Sequence, residues 1–274
     1  MNSFSRHIAA IDNAELPGRR TRFFIGAEIV GYIAPELAPV LSDFDQIRRT
    51  PRGLTLNADR AGDLHPIARQ LAEAGFMRWR NEAFDVRAQP NGTALATIDR
   101  GALPAFGIQA QGIHLDAILR RPDGLHLWVA RRAANKALDP NKLDHVVAGG
   151  LPAGLTPLEC LVKEAAEEAS MPATIAERAI PVGAIGYAME RPEGLRRDLL
   201  HCYEVEVDED FTPLTNDGEV AGFELWPLAA VVDAVRDTDT FKFNVNLVLM
   251  ALFQRHGIAL GDDVATALAA LKGR

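Results

Sequence analysis

Residues 149–168 constrain the fold more than any other stretch of this chain. Gly149-Gly150-Leu151-Pro152-Ala153-Gly154-Leu155 runs directly into Thr156-Pro157-Leu158-Glu159 and then Lys163-Glu164-Ala165-Ala166-Glu167-Glu168. The glycines allow a loop path that few side chains tolerate, and helix start signals follow at once. Thr156 suits the N-cap, Pro157 the first helical position, and Glu159 stands three residues after the cap, as a capping box requires. Leu158, Leu161, Val162 and Ala165 give the predicted helix an apolar face at spacings of three and four. Glu164, Glu167 and Glu168 occupy the other side. Glu164 and Glu168 are like charges at i,i+4, and all three lie toward the C-terminal end, where the helix dipole disfavours anions. Lys163 can relieve Glu159 or Glu167, yet it cannot neutralise three acids. A hard divalent cation held by carboxylate oxygens would offset the repulsion. The competing reading is a solvated acidic surface, because each like-charge pair costs only about 0.2–0.5 kcal/mol.

The rest of the composition narrows the setting. With 274 residues the chain can form one large domain or a domain with an accessory unit. Its net charge of −8 argues against a surface that coats nucleic acid. A few bases focused in a cleft could still hold an anionic small molecule. The two cysteines, Cys160 and Cys202, lack metal spacing and are too few for a disulfide framework. Cys160 falls on the apolar side of the predicted helix and reads as a packing residue. No 18-residue apolar run and no secretory core appear, so no membrane span is expected and the expected compartment is the cytoplasm. Arg6, Arg19, Arg20 and Arg22 are basic near the N-terminus, but Asp12 and Glu15 weaken a transit-peptide reading. The oligomeric state stays open, with an oligomer allowed.

Hydrophobic periodicity divides the chain in two. Up to residue 110 it predicts a small α/β unit. This has a helix over 5–15, a strand from Arg22 to Ile33, a helix from Ala34-Pro35 to about Phe44, a strand at 53–56, a helix from Leu64 to Gly75, and strands at 84–86 and 94–98 paired around Pro90-Asn91-Gly92. Trp79 and the histidines of this unit read as structural. Gln109-Ala110-Gln111-Gly112 marks the boundary. Residues 111–274 then predict strands at 113–120, 125–131 and 145–148, the glycine loop and its helix, a hairpin at 180–189 and 195–207, a strand at 223–226, a helix entered at Pro227, and helices at about 243–256 and 262–272. Strands interspersed with helices place this half in the α/β class. Arg131, Arg132, Lys136 and Lys142 cluster just ahead of the acidic helix. Strand alternation sends Arg131 and Arg132 to opposite faces, and Arg132 with Lys136 is the favoured pair for a cleft. Solvated loop bases are the plainer alternative.

Taken together, this stretch resembles the Nudix box. The family pattern is Gly, five residues, Glu, seven residues, Arg-Glu, apolar, any, Glu-Glu, any, Gly, apolar. Gly149, Glu164, Ala165, Glu167, Glu168 and Met171 stand in register, while Leu155, Lys163 and Ser170 replace the first Glu, the Arg and the last Gly. Leu155 removes half of an ion pair that helps hold the family's loop, so this loop must be braced differently. The run from Trp128 to Met171 is further similar to a Nudix branch linked to thiamine pyrophosphokinase, which hydrolyses thiamine diphosphate-type compounds, oxidised forms above all. Trp128, Arg132, Lys136, Lys142-Leu143-Asp144 and Ala148-Gly149-Gly150 carry that similarity, and an N-terminal α/β extension accompanies it. Isopentenyl diphosphate isomerase is also similar in its bases, but it needs a cysteine where Ala148-Gly149 stands.

The resemblance implies a Nudix α/β/α sandwich preceded by a small α/β unit, and a hydrolase of a small organic diphosphate. It implies Mg²⁺, with Mn²⁺ as a substitute, held by Glu164, Glu167, Glu168 and the Gly149 carbonyl. Glu219 is the first candidate to take a proton from water and Glu224 the reserve. Trp128, Arg132, Lys136, Lys142 and Asp144 are the implied substrate-binding residues. A hydrolase of nucleoside diphosphate derivatives such as ADP-ribose is the alternative enzyme. A non-catalytic diphosphate-binding module is the alternative outside enzymes, prompted by Leu155.

Overall fold

The computed structural model describes residues 4–57, 63–216 and 218–272. Its centre is a seven-stranded mixed sheet. Strands β11 (Ile180–Arg191), β12 (Gly194–Val207), β7 (Gln109–Arg121), β8 (Gly124–Arg132) and β13 (Val220–Pro227) lie side by side in that order, with β10 (Val147–Gly150) on β7 and β9 (Leu143–His145) on β8. The β12–β7 pair is parallel and its neighbours are antiparallel.

Alternation along β7 sends side chains to two different cores. Ile113, Leu115, Ala117 and Leu119 meet Cys160, Leu161 and Ala165 of α5 (Pro157–Ala169), while Ile118 joins the opposite core beneath α7 (Leu228–Asp237), α8 (Val245–Arg255) and α9 (Asp262–Leu271). Helix α8 is buried along nearly its whole length, from Val245 to Phe253. This is the α/β/α sandwich expected.

The N-terminal unit has its own core. Strands β2 (Glu28–Ile33), β1 (Thr21–Ile25), β4 (Gly53–Leu56) and β3 (Ile47–Thr50) form one sheet. A separate hairpin pairs β5 (Ala83–Val86) with β6 (Ala96–Asp99). Helices α2 (Leu37–Ser42), α3 (His65–Glu73) and α4 (Leu103–Phe106) pack against these strands.

Two expectations are corrected here. The single strand expected over 22–33 is a hairpin, because Gly26 turns the chain at φ +59° inside a continuous run of strand-forming residues. The boundary strip 109–112 is continuous strand, the start of β7, and it pairs with β12 from Arg197↔Gln109 onward. Helix α1 (Ser5–Ile11) ends earlier than expected and packs in the C-terminal half: Phe4, Ile8 and Ile11 belong to the core of α8 and α9. Arg6 fastens it by donating to the carbonyls of Val235 and Arg236 at 3.1 and 2.6 Å.

Because Ile11 is 1% exposed within that core, Ile11→Ala should destabilise the protein by about 2–4 kcal/mol. Denaturant unfolding measures this. A loss under about 0.5 kcal/mol would show that the first helix is an appendage rather than part of the C-terminal core.

Candidate active site

Helix α5 starts as its sequence directs. The Thr156 hydroxyl accepts from the Glu159 N–H at 3.3 Å, and the Glu159 carboxylate accepts from the Thr156 N–H at 2.8 Å, closing the capping box. At the other end Ser170 takes φ +50°, the left-handed conformation that the family pattern assigns to glycine. Cys160 is fully buried, as expected, and its thiol donates to the Gly150 carbonyl at 3.2 Å.

The three acids of α5 separate. Glu167 is exposed and meets Lys163 at 2.6 Å; the same ammonium reaches Glu164 at 3.1 Å, so Lys163 neutralises more of the helix than its spacing suggested. Glu168 turns inward and is 7% exposed. Its carboxylate accepts from the Ala148 N–H at 2.9 Å, joining α5 to β10. Burial pushes the Glu168 carboxyl up to about 8, with the neighbouring Asp144 and Glu164 adding to the effect and the Ala148 N–H and the Lys136 charge opposing it. Burial also raises Glu164 above its ordinary value, against the pull of Lys163.

A pocket opens beside Glu168. Ala130 and Arg132 of β8, Lys136, Asp144 and His145 of β9, Ala148, Glu219 and Val220 complete its wall. Strand register explains the gathering: Ala130 pairs with Asp144, and Val220 pairs with Arg132. Lys136 and Glu219 form an ion pair across the mouth. Burial alone would raise the Glu219 carboxyl, but Lys136, with Arg100 and Arg132 further off, holds it below its ordinary value.

Arg132 sits in the pocket wall with much of its hydrogen-bonding capacity committed. Its Nη1 donates to Asp144 at 2.9 Å, Nε to the Asp139 carbonyl at 3.0 Å and Nη2 to the Leu138 carbonyl at 2.7 Å. Three of the five guanidinium N–H groups are thus used to fasten Asp144 and the loop between β8 and β9. Asp144 also receives Lys242 Nζ at 3.3 Å. Burial works against the Asp144 charge, yet the surrounding positive groups, Lys242 foremost, hold its carboxyl down at about 2.

Other expected residues lie elsewhere. Lys142 donates to the Asp239 carbonyl and Glu224 pairs with Arg131 at 2.9 Å, and neither lines the pocket. Trp128 packs half-buried against the α5-side core. The Gly149 carbonyl oxygen lies 2.8 Å from the place a Cβ on Gly112 would take, so it faces β7, and Ala148 is the backbone neighbour of the pocket. Gly149 matters through what it lacks: a Cβ there would stand 2.6 Å from the Glu164 carboxyl carbon.

Sequence reasoning missed Lys242 and His145. Lys242 is 98 residues from Asp144 and carries no local signal. His145 follows Asp144 on β9, where neighbouring residues conventionally point to opposite faces.

It also missed how the glycine loop is braced. The Ala153 N–H donates to the Ala83 carbonyl at 2.8 Å, and the Gly154 N–H to Asp85 at 3.3 Å. Phe84 lies 2.7 Å from where a Cβ on Gly150 would stand. Hairpin β5–β6 therefore does what the missing loop Glu cannot, while Leu155 packs against the α5-side core.

Among the described residues no three His, Cys, Asp or Glu side chains converge closely enough to hold a metal ion. The chemistry of the donors still fits a hard divalent cation. Glu164 and Glu168 are oxygen donors whose charged forms are raised in free energy by burial, and a cation would relieve that.

The folded protein keeps the Glu168 proton where the unfolded chain has released it, between an ordinary 4.5 and about 8. Stability therefore falls as pH rises through this window in metal-free buffer. Glu168→Gln keeps the acceptor for Ala148 and removes the charge. Its melting temperature in chelator should match wild type near pH 4 and exceed it by several degrees at pH 8, a gain of about 1–3 kcal/mol. Thermal unfolding at both pH values checks this; an equal or lower melting temperature at pH 8 would contradict it.

Residues 111–245 match the family model described as the NUDIX domain, and residues 3–110 match a domain of unknown function, DUF4743. The chain is 36% identical over 261 residues to "Nudix hydrolase 20, chloroplastic" of Arabidopsis thaliana, covering 89% of this chain and 70% of that protein. It is 37% identical over 246 residues to "Nudix hydrolase 24, chloroplastic" of the same plant, covering 86% and 67%. Among solved structures, DR0079 from Deinococcus radiodurans aligns with 62% of this chain and 98% of its own, at TM-score 0.48 and 23% identity. With that likeness to the two plant hydrolases running through both halves of the chain, the protein belongs to the Nudix hydrolase family and is a hydrolase.

Proposed function

We propose that the enzyme splits the diphosphate of a small organic substrate, thiamine diphosphate or an oxidised analogue, to the monophosphate. The observation that supports diphosphate chemistry is the pocket in which buried Glu168 meets Lys136, Arg132 and Glu219. The thiamine-like choice rests on the similarity of the stretch from Trp128 to Met171 and of the N-terminal unit to that branch.

Glu164 and Glu168 would hold Mg²⁺, with Glu167 within reach once it leaves Lys163, and Mn²⁺ as a substitute. When bound, the ion would draw charge from the diphosphate oxygens and make a nearby water more acidic. The protein's own groups divide the remaining work. Lys136 exchanges Glu219 for a phosphate oxygen, and the two spare N–H groups of Arg132 bind a second. Losing Lys136 moves the Glu219 carboxylate toward ordinary basicity, because Lys136 is foremost among the groups that hold it low. Substrate binding thereby makes Glu219 a stronger base for the proton of the attacking water. Asp144 orients Arg132 and touches no phosphate in this scheme.

A diphosphate panel that includes thiamine diphosphate, its oxidised forms and ADP-ribose tests the substrate class, with Mg²⁺ and with chelator. Turnover should be greatest on the thiamine-type members and should stop with chelator. Preference for ADP-ribose would transfer the assignment to nucleoside diphosphate derivatives. Lys136→Ala should raise KM by about tenfold to a hundredfold and leave the melting temperature unchanged. Arg132→Ala should lower the melting temperature as well, since Asp144 loses a partner while buried. If neither variant moves KM beyond twofold, this pocket does not bind the phosphates.

A further inference from the structure

The N-terminal unit does more at the site than support a loop. Arg100 follows β6, and its guanidinium carbon lies 3.5 Å from the place a Cβ on Gly150 would occupy. It therefore stands over the glycine loop of the site, beside Phe84, whose ring centre is 5.7 Å away. Its Nη1 donates to Glu82 at 2.9 Å, and its side chain is 50% exposed. The guanidinium is always charged, and Glu82 engages it through Nη1.

Arg100 has charged company. The segment carrying exposed Arg78 and Arg80 runs alongside it: the Arg78 carbonyl lies 1.8 Å from where a Cβ on Gly101 would stand, and the Arg80 N–H donates to Asp99 at 3.0 Å. Glu82 offsets part of this positive charge, and so does Asp99. Asp99 is fully buried, and its carboxylate accepts the backbone N–H groups of Arg80, Glu82 and Gly101. Burial, Arg78 and Arg100 lower the Arg80 guanidinium while Asp99 and Glu82 act to raise it, so three bases and two acids lie close together here. An arginine group beside a diphosphate pocket, in a chain of net charge −8, suits an anion shared between the two.

We propose that Arg100 is a substrate-binding residue contributed by the N-terminal unit, taking a phosphate oxygen of the diphosphate where it emerges past Gly150, with Arg78 and Arg80 adding attraction from behind. This deepens the diphosphate hydrolase reading and rests on it. It also gives the N-terminal unit a role in recognition: Arg132 is largely committed to Asp144 and two carbonyls, so a second arginine is needed for a firm grip.

The test compares full-length wild type, Arg100→Ala, Arg100→Lys and Arg52→Ala on the best substrate of the Mg²⁺ panel. Arg52→Ala removes the same charge from the turn between β3 and β4. Arg100→Ala should raise KM by about tenfold to a hundredfold, the range of one charge-assisted contact, with kcat within about threefold and the melting temperature unchanged. Arg100→Lys should recover part of the loss, and Arg52→Ala should resemble wild type. A KM within twofold of wild type overturns the proposal. So does a loss confined to kcat and melting temperature, which is what a mere brace for the loop would give. If no panel member is turned over, the hydrolase substrate reading fails separately. Arg100 is then tested by calorimetric titration of inorganic pyrophosphate with Mg²⁺: binding at least tenfold weaker in Arg100→Ala supports it, and equal or undetectable binding in wild type and variant overturns it.

Discussion

One carboxyl group, buried between a helix and a strand with a single backbone hydrogen bond, sets the terms for this structure. Glu168 lies inside because the apolar face of α5 must cover the sheet, and its neighbours Ala165 and Ala169 are wholly buried there. Packing of that face carries the acid into a poorly solvated place, where it meets the Ala148 N–H and is held up near 8. An isolated protein tolerates this by keeping the proton. Replacing the proton by a divalent cation turns the same burial into a binding force. The separation of roles along the helix follows: Glu159 caps, Glu167 faces solvent with Lys163, and Glu164 and Glu168 remain at the buried side.

The position of Glu168 depends in turn on β10 and the glycine loop behind it. In this chain that loop is held from outside. Hairpin β5–β6 supplies a carbonyl to Ala153, a carboxylate to Gly154 and an aromatic ring beneath Gly150. The N-terminal unit is consequently part of the architecture of the candidate site. Helix α1 closes the arrangement from the other end of the chain by packing among α8 and α9. The two halves keep separate cores apart from α1, and β7 runs without interruption out of the boundary strip.

How much was legible in the sequence depended on how local the cause was. The capping box, α5 and its apolar face are written in consecutive residues, and the structure matches them. The β5–β6 pairing was equally visible through Pro90-Asn91-Gly92. Gly26 was overlooked because strand formers flank it on both sides. The gathering of Arg132, Lys136, Glu168 and Glu219 was anticipated by family pattern, but the use made of Arg132 was not. Its commitments to Asp139, Leu138 and Asp144 arise from the path of a loop. Lys242 and Arg100 reach the site from segments far away in the chain, and no spacing rule connects them to it. Leu155 did carry a signal: an absent ion pair implied another brace, though not which residues would form it.

The central claim is that the buried acid of α5 holds a proton that a divalent cation displaces. Calorimetric titration of Mg²⁺ into the protein at pH 7, repeated in buffers of different ionisation enthalpy, counts the protons released on binding. Wild type should release close to one proton per binding event, and Glu168→Gln should release almost none. Binding without proton release in wild type, or equal release from Glu168→Gln, would contradict the account.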